Sequence, residues 1–214
     1  MRNISKGKEP ASLTTHRETA HASYDNYPAD AKQKLRVALV AEQRGLCCYC
    51  MAIIEALPAT MKVEHWQSQE DHEASQLDYS NLLGACLGGE GQPGDFQHCD
   101  TRKGKKNLKF SPADPAHNVE QRVSYLGDGT ITSADEEFCA QLQDVLGLNL
   151  PVLRNRRKAV IDGLVGWLRD YRSRHHRGPD NATLMREWIR WAPAAGSLRP
   201  YAQVALWWLN QRLA

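Results

Sequence analysis

Four of the six cysteines in this 214-residue chain fall into two pairs, and they mark where it could do chemistry. Cys47 and Cys50 are spaced C-x2-C, and a tight turn at that spacing brings two thiolates onto one tetrahedral metal ion. Cys86 and Cys99 form the second pair, separated by residues 87–98. That insert carries Gly88, Gly89, Gly91, Pro93 and Gly94, so it can loop out while its ends stay in place. The set predicts a structural zinc site, because four protein ligands leave no open position for water. Cys48 competes with Cys47, although Cys48-x-Cys50 is the poorer spacing, and His98 beside Cys99 is an alternative donor. The plainer reading is four unliganded core thiols.

Between the cysteines stand Val63-Glu64-His65-Trp66 and Asn81, and Asp100 follows Cys99 directly. Hydrolysis of a phosphodiester needs water made into a nucleophile, and charge neutralised on the transition state and the leaving oxygen. A neutral imidazole accepts the proton near neutral pH. A hard divalent cation, Mg²⁺ or Mn²⁺, held by oxygen ligands stabilises the oxygens. His65 is the candidate base. Glu64, Asp100 and the amide oxygen of Asn81 are candidate cation ligands, with Asn81 alternatively holding the loop that orients His65. Arg102, Lys103, Lys105, Lys106 and Lys109 form a cationic run where a phosphate backbone would lie. Each residue has a plainer reading: His65 as a structural histidine, Asn81 as a turn residue, Asp100 as a helix cap, the lysines as a solvated face. Their grouping inside the cysteine frame favours the chemical one. No aromatic pattern suggests single-strand stacking.

The surrounding elements must position these groups. Residues 1–27 read as an irregular, solvated arm. A helix starts near Pro28 and ends at Glu42, with Gly45 as its C′ residue. A strand fits residues 61–66, a polar loop 67–76, a returning segment 77–85, a loop 88–95 and the first turns of a helix 101–106. Residues 119–125 and 130–132 read as a hairpin around Gly127-Asp128-Gly129. Helices are predicted over 135–146, 150–171, 183–191 and 201–213. The last is apolar nearly all round, so it is buried here or against a partner. Arg154, Arg156, Arg157 and Lys158 crowd the start of the second of these helices and oppose its dipole, which suggests either an anion nearby or a solvated face. The fold class is therefore α+β and mainly helical. Residues 1–133 form the core around the cysteine site, and 134–214 form a helical region packed with it as one unit. The formal charge of +2 carries no argument about nucleic acid by itself. With no membrane-length apolar stretch and no signal-peptide core, the expectation is a cytoplasmic protein whose cysteines are thiols and metal ligands.

The spacing of Cys47, Cys50, Glu64-His65, Asn81, Cys86, Cys99 and Asp100 resembles the HNH nuclease motif, a ββα-metal finger with cysteine-bound zinc. The resemblance is widest to the HNH subunit of Septu-type and retron-linked anti-phage systems. It covers residue 2 to about 157, including Glu9-Pro10, His16-Arg17, Asn81 to Cys86, Gln97 to Gly104 and Asp128-Gly129. It implies an endonuclease with structural Zn²⁺ and catalytic Mg²⁺ or Mn²⁺, with His65, Asn81, Asp100 and Glu64 as catalytic residues. Asp100 is a departure, since that position is usually His or Asn. Arg102, Lys103, Lys105 and Lys106 would meet the nucleic acid, Lys103 standing where the family often has a phosphate contact. The implied partners are DNA or RNA, an AAA/ABC-type ATPase subunit, and a retron reverse transcriptase with its RNA and DNA. Residues 181–214, rich in Trp, are the expected docking segment for the ATPase. The alternative is a zinc-finger nucleic-acid-binding or adaptor subunit without catalysis.

Overall fold

The computed structural model describes residues 1–213 of the chain. Its first segment departs from the solvated arm expected. Met1 and Ile4 lie in the core. The α-amino group donates to the Tyr125 hydroxyl at 2.6 Å, and the Ile4 N–H to the Pro112 carbonyl at 2.7 Å. A short helix, α1 (Ala11–Arg17), buries Leu13 completely. The apolar anchors Met1, Ile4, Leu13 and Tyr27 are spaced too unevenly to show a helical or strand period, which is why the segment reads as irregular.

Helix α2 (Ala29–Glu42) opens on Pro28 and buries Ala31, Leu35 and Leu39. Its C-terminal motif is shifted by one residue from expectation. Arg44 takes the left-handed position at φ 56°, and the N–H groups of Arg44 and Gly45 return to the carbonyls of Ala41 and Val40. Gln43 then ties this helix end to the sheet. Its buried amide donates to Leu46 O and Gly84 O and accepts from Gly84 N–H at 2.6 Å.

Strands β1 (Met61–His65) and β2 (Leu82–Cys86) pair antiparallel, from Met61 opposite Cys86 to His65 opposite Leu82. Helix α3 (Cys99–Lys103) follows and packs on β2. A helical turn, α4 (Val119–Arg122), occupies residues expected as strand, because Asn118 adopts a left-handed conformation and Val119 turns fully inward. The hairpin survives as β3 (Ser124–Tyr125) and β4 (Ile131–Thr132) around the expected Asp-Gly turn. Gly129 is required there: a Cβ would lie 2.1 Å from the Arg154 carbonyl of a later helix.

Helix α5 (Glu136–Ala140) runs into a π-helical turn (Gln141–Val145), followed by α6 (Pro151–His175), α7 (Asn181–Trp191) and α8 (Ala202–Asn210). The fold is thus α+β and largely helical, with two small two-stranded sheets. One core cluster joins the cysteine-bearing segment to Leu153, Ile161 and Leu164 of α6 and to Val204, Trp208 and Leu209 of α8. Trp188, Trp191 and Trp207 are half-buried and pack against the same cluster. A smaller cluster under α1 and α2 holds Leu13, Tyr27, Leu35, Tyr79 and Leu82. Among the described residues, no helix is long and apolar enough to cross a membrane.

Candidate metal centre and adjoining cleft

Cys47 to Ala52 form a tight knuckle. Cys47 N–H donates to the Ala52 carbonyl, Met51 N–H to the Cys47 carbonyl, and Ala52 N–H to the Cys50 sulfur at 3.4 Å. Cys86 ends β2 and Cys99 opens α3. The insert between them closes on itself, because His98 N–H donates to the Gly88 carbonyl at 2.8 Å. Gly88 has φ 57°, and a Cβ there would stand 2.0 Å from the His98 carbonyl oxygen. Residues 87–98 thus leave and return at nearly the same point, so a long insert does not disturb the ligands.

The sulfurs of Cys47, Cys50, Cys86 and Cys99 all lie within 4.8 Å of one another, and all four residues are buried. The Cys47–Cys99 and Cys50–Cys86 sulfur pairs are 3.8 and 3.6 Å apart. Zn–S bonds of about 2.3 Å in tetrahedral geometry place sulfurs about 3.8 Å apart, so the donor set fits zinc without rearrangement. These four cysteines could therefore hold a zinc ion. Cys48 stands outside the set, with its N–H bound to the Gly84 carbonyl. His98 is outside it too. Its Nδ1 lies 3.2 Å from the Cys99 sulfur, placed for a hydrogen bond to a thiolate that already has a metal.

Beside this centre, β1 presents Glu64 and His65 to different surroundings. Glu64 is 1 % exposed; its Oε1 accepts from the Tyr49 hydroxyl at 2.6 Å and forms an ion pair with Lys103 Nζ at 2.9 Å. Burial, then the hydrogen-bonded Asp100 carboxyl, pushes Glu64 well above the usual carboxylate range, while Lys103 and Tyr49 pull the other way. Lys62 lies 2.8 Å from Glu90 and 3.9 Å from Asp100 Oδ2. Three carboxyls thus face two ammonium groups, an excess of one negative charge that a proton or a cation would balance. Asp100, with its side chain 22 % exposed, is the carboxyl of this group that opens to solvent on the cleft.

His65 is 6 % exposed and both ring nitrogens are engaged. Nε2 lies 3.0 Å from the Gln76 carbonyl and so carries the hydrogen, which leaves Nδ1 to accept from the Gln69 amide at 3.1 Å. Burial lowers the imidazole to about 4, so it is neutral at physiological pH with its lone pair on Nδ1. The Tyr24 ring stands edge-on to it, centroids 4.6 Å apart. His65, Glu64, Asp100, Gln69 and Lys105 line one cleft of about 290 Å³.

One site residue departs from the sequence reading, and another takes the second of the two roles offered for it. Lys103 is no surface cation: it is 1 % exposed, and besides Glu64 its ammonium donates to the His65 carbonyl at 3.0 Å. The helical turn from Cys99 aims position 103 back into the core, where the Glu64 carboxyl needs a counter-charge. Asn81 lines a different pocket, with Trp66 and Ser80, and its amide is spent on the backbone. Its oxygen accepts from Gln67 N–H at 2.7 Å, and its nitrogen donates to Gln67 O and Ser75 O. Asn81 therefore clamps the loop after His65 rather than offering oxygen to a cation. Arg102 donates to the Asp144 carbonyl at 3.2 Å, exposed Lys105 pairs with Glu70 at 3.1 Å, and Lys106 is exposed.

Tyr24, Tyr49, Gln69 and the Gln76 carbonyl escaped the sequence reading. Tyr49 could have been found there, since an aromatic ring inside a metal knuckle must be buried and its hydroxyl must find an acceptor. The others come from polar or irregular segments that carry no such signal. No family model matches the sequence, and comparison with curated proteins gave no match.

Proposed function

We propose that the chain is a divalent-cation-dependent phosphodiester hydrolase of HNH type acting on DNA or RNA, with structural zinc at the four cysteines. The observation that carries the reading is the state of His65. It is a buried neutral imidazole at a strand end, its tautomer set by the Gln76 carbonyl, with Nδ1 sharing a cleft with the Asp100 and Glu64 carboxyls. In this reading the Gln69 amide turns off His65 Nδ1 as water enters, and Nδ1 takes the proton from that water while its oxygen bonds to phosphorus and the P–O bond to the leaving oxygen breaks. Asp100, with Glu64 beside it, would hold Mg²⁺ or Mn²⁺, which supplies charge stabilisation to the phosphoryl and leaving oxygens. Asn81 keeps the loop, and hence Gln69, in register with the imidazole. The resemblance to Septu-type subunits sets this activity within an anti-phage complex governed by an ATPase.

A second reading, a zinc-bearing binding or adaptor subunit without catalysis, draws on the Lys103 ammonium that already neutralises one Glu64 oxygen. Incubation of purified protein, alone and with the product of the neighbouring gene, with DNA and RNA under Mg²⁺ or Mn²⁺ separates the two. Cleavage lost in His65→Ala with fold and zinc retained supports hydrolysis. Cleavage at the wild-type rate in that variant removes His65 from the mechanism.

A further inference from the structure

The cations that the sequence places nearest the cleft are largely committed elsewhere. Lys103 is inside, Arg102 is bound to backbone carbonyls, and Lys105 is paired with Glu70. A different pair stands on the other flank of His65. Lys32 and Arg36 are four residues apart on α2, so both project to one side of the helix. The ammonium of Lys32 sits 4.7 Å above the Tyr24 ring, and that ring is the one set edge-on against His65. Apart from that ring, Lys32 touches only the Asp25 carbonyl, at 3.4 Å. Arg36 is half-buried, and its Nε is shielded from solvent without a hydrogen-bond partner. Among the described residues no carboxylate lies within ion-pair distance of either cation, although Lys6, Lys34, Lys62 and Lys109 are all paired. Burial pushes the Tyr24 phenol up to about 12, with the positive charge of Arg36 pulling the other way. Among the described residues, the structure gives the Tyr24 hydroxyl no hydrogen bond. Asp25 is the nearby counter-charge and is exposed.

We propose that Lys32 and Arg36 of α2, ranged about Tyr24 on the flank of His65, form the principal binding surface for the phosphates of the nucleic-acid backbone. The proposal rests on the nuclease reading above and gives it a substrate path, along α2 and across Tyr24 toward Asp100. A phosphate is the ligand such a pair fits: a guanidinium lacking an internal acceptor gains two parallel hydrogen bonds, and the ammonium adds a point charge. Neither residue reads a base edge, so binding is independent of sequence.

The test uses the full zinc-loaded chain and fluorescein-labelled 30-nucleotide probes of duplex DNA, single-stranded DNA and RNA, without divalent cation. Affinity is measured by anisotropy across a sodium chloride series for wild type, Lys32→Gln/Arg36→Gln and Lys105→Gln/Lys106→Gln. Each lost phosphate contact lowers the salt slope by about 1. The α2 double variant is expected to lose about two units of slope and at least about tenfold in affinity at low salt, alike for all duplex sequences. The 105/106 variant is expected to lose less than half as much. An α2 variant that superimposes on wild type, a larger loss in the 105/106 variant, or no binding of any probe by wild type overturns the proposal. Failure of the catalytic reading looks different: His65→Ala would cut at the wild-type rate while the α2 effect on the salt slope persisted.

Discussion

The pair Lys103–Glu64 gives the most direct check on the site as built, because it reverses the sequence reading of Lys103 and has a computable consequence. Each side chain is 1 % exposed and they meet at 2.9 Å, so neither charge can be screened by water. Lys103→Met removes the ammonium and leaves the carboxylate with the Tyr49 hydroxyl and a second carboxyl, Asp100, for company. Breaking a buried pair from one side costs about 3–5 kcal/mol, since the remaining charge is uncompensated. Proton uptake by Glu64 limits the loss at acid pH, so the variant should be relatively better off below neutrality than above it. For a chain of this size about 3–5 kcal/mol corresponds to a fall in Tm of roughly 6–20 °C. The double variant Glu64→Gln/Lys103→Met removes both charges while keeping hydrogen-bonding capacity toward Tyr49. Replacing a buried pair as a unit is often close to neutral, so the double variant should recover at least about half of the loss. The assay is urea and thermal unfolding with zinc content followed in parallel, at pH 6 and pH 8. A Lys103→Met protein with wild-type stability but weakened nucleic-acid binding would refute the reasoning and return Lys103 to the surface role the sequence suggested.

Three further outcomes are expected. Elemental analysis should find about one zinc per chain, and Cys86→Ser should lose zinc and folding together, because metal affinity is folding energy in a centre that forms part of the core; well-folded protein without zinc would contradict this. Asp100→Ala should reduce cleavage in a way that depends on the cation, needing more Mg²⁺ or favouring Mn²⁺, whereas a metal titration matching wild type would make Asp100 a helix-start residue only. His65, lowered to about 4 in the fold against about 6.5 when unfolded, binds its proton more readily in the unfolded chain. Its contribution to stability is therefore complete above about pH 6.5 and lost as pH falls toward 4, on the order of 3 kcal/mol. Unfolding curves of wild type and His65→Gln should converge over that interval, and a constant difference between them would show that the imidazole is not buried neutral.

The parts that were legible in the sequence are those whose physics is local. A C-x2-C turn, a Pro at a helix start and an Asp-Gly hairpin act through the covalent chain over a few residues, and each stands where its spacing placed it. The ends of β1 and α6 fell within a few residues for the same reason. Lys103 could not be read, because its environment comes from Glu64 and Tyr49, far away in sequence. Asn81 offered two roles, and only the course of residues 67–75 chooses between them. The N-terminal arm failed for a related reason: four anchors spread over residues 1–27 have no period, and what they fit is visible only once Tyr125 and Leu82 are in place. The tryptophans near the end of the chain were legible as apolar, but how far each is buried was not, since composition does not distinguish a core from a docking face.

The basic start of α6 opposed the helix dipole without a stated cause, and the metal centre supplies one. A divalent zinc held by four thiolates would leave two negative charges inside the core, where charge is costly to bury. Arg157 is 2 % exposed and reaches no carboxylate; its guanidinium donates to the Gly129 and Leu148 carbonyls at 2.6 Å. The Tyr201 hydroxyl raises Arg156 most, and Cys50 and Cys86 add to it, while burial lowers Arg157 against the pull of Tyr125, Tyr201 and Cys50. The buried α-amino group is lowered to about 5, chiefly by burial and then by Arg157, and is neutral at physiological pH. Positive charge beside the cysteines therefore comes from the start of α6, not from the neutral α-amino group. This accounts for a buried arginine without an ion-pair partner and for cations at a helix start. On this view the C-terminal helices are the electrostatic and apolar seat of the metal centre, and the face they leave outward, with Met185 and Ile189 at 44 and 52 % exposure, is what remains for any partner to meet.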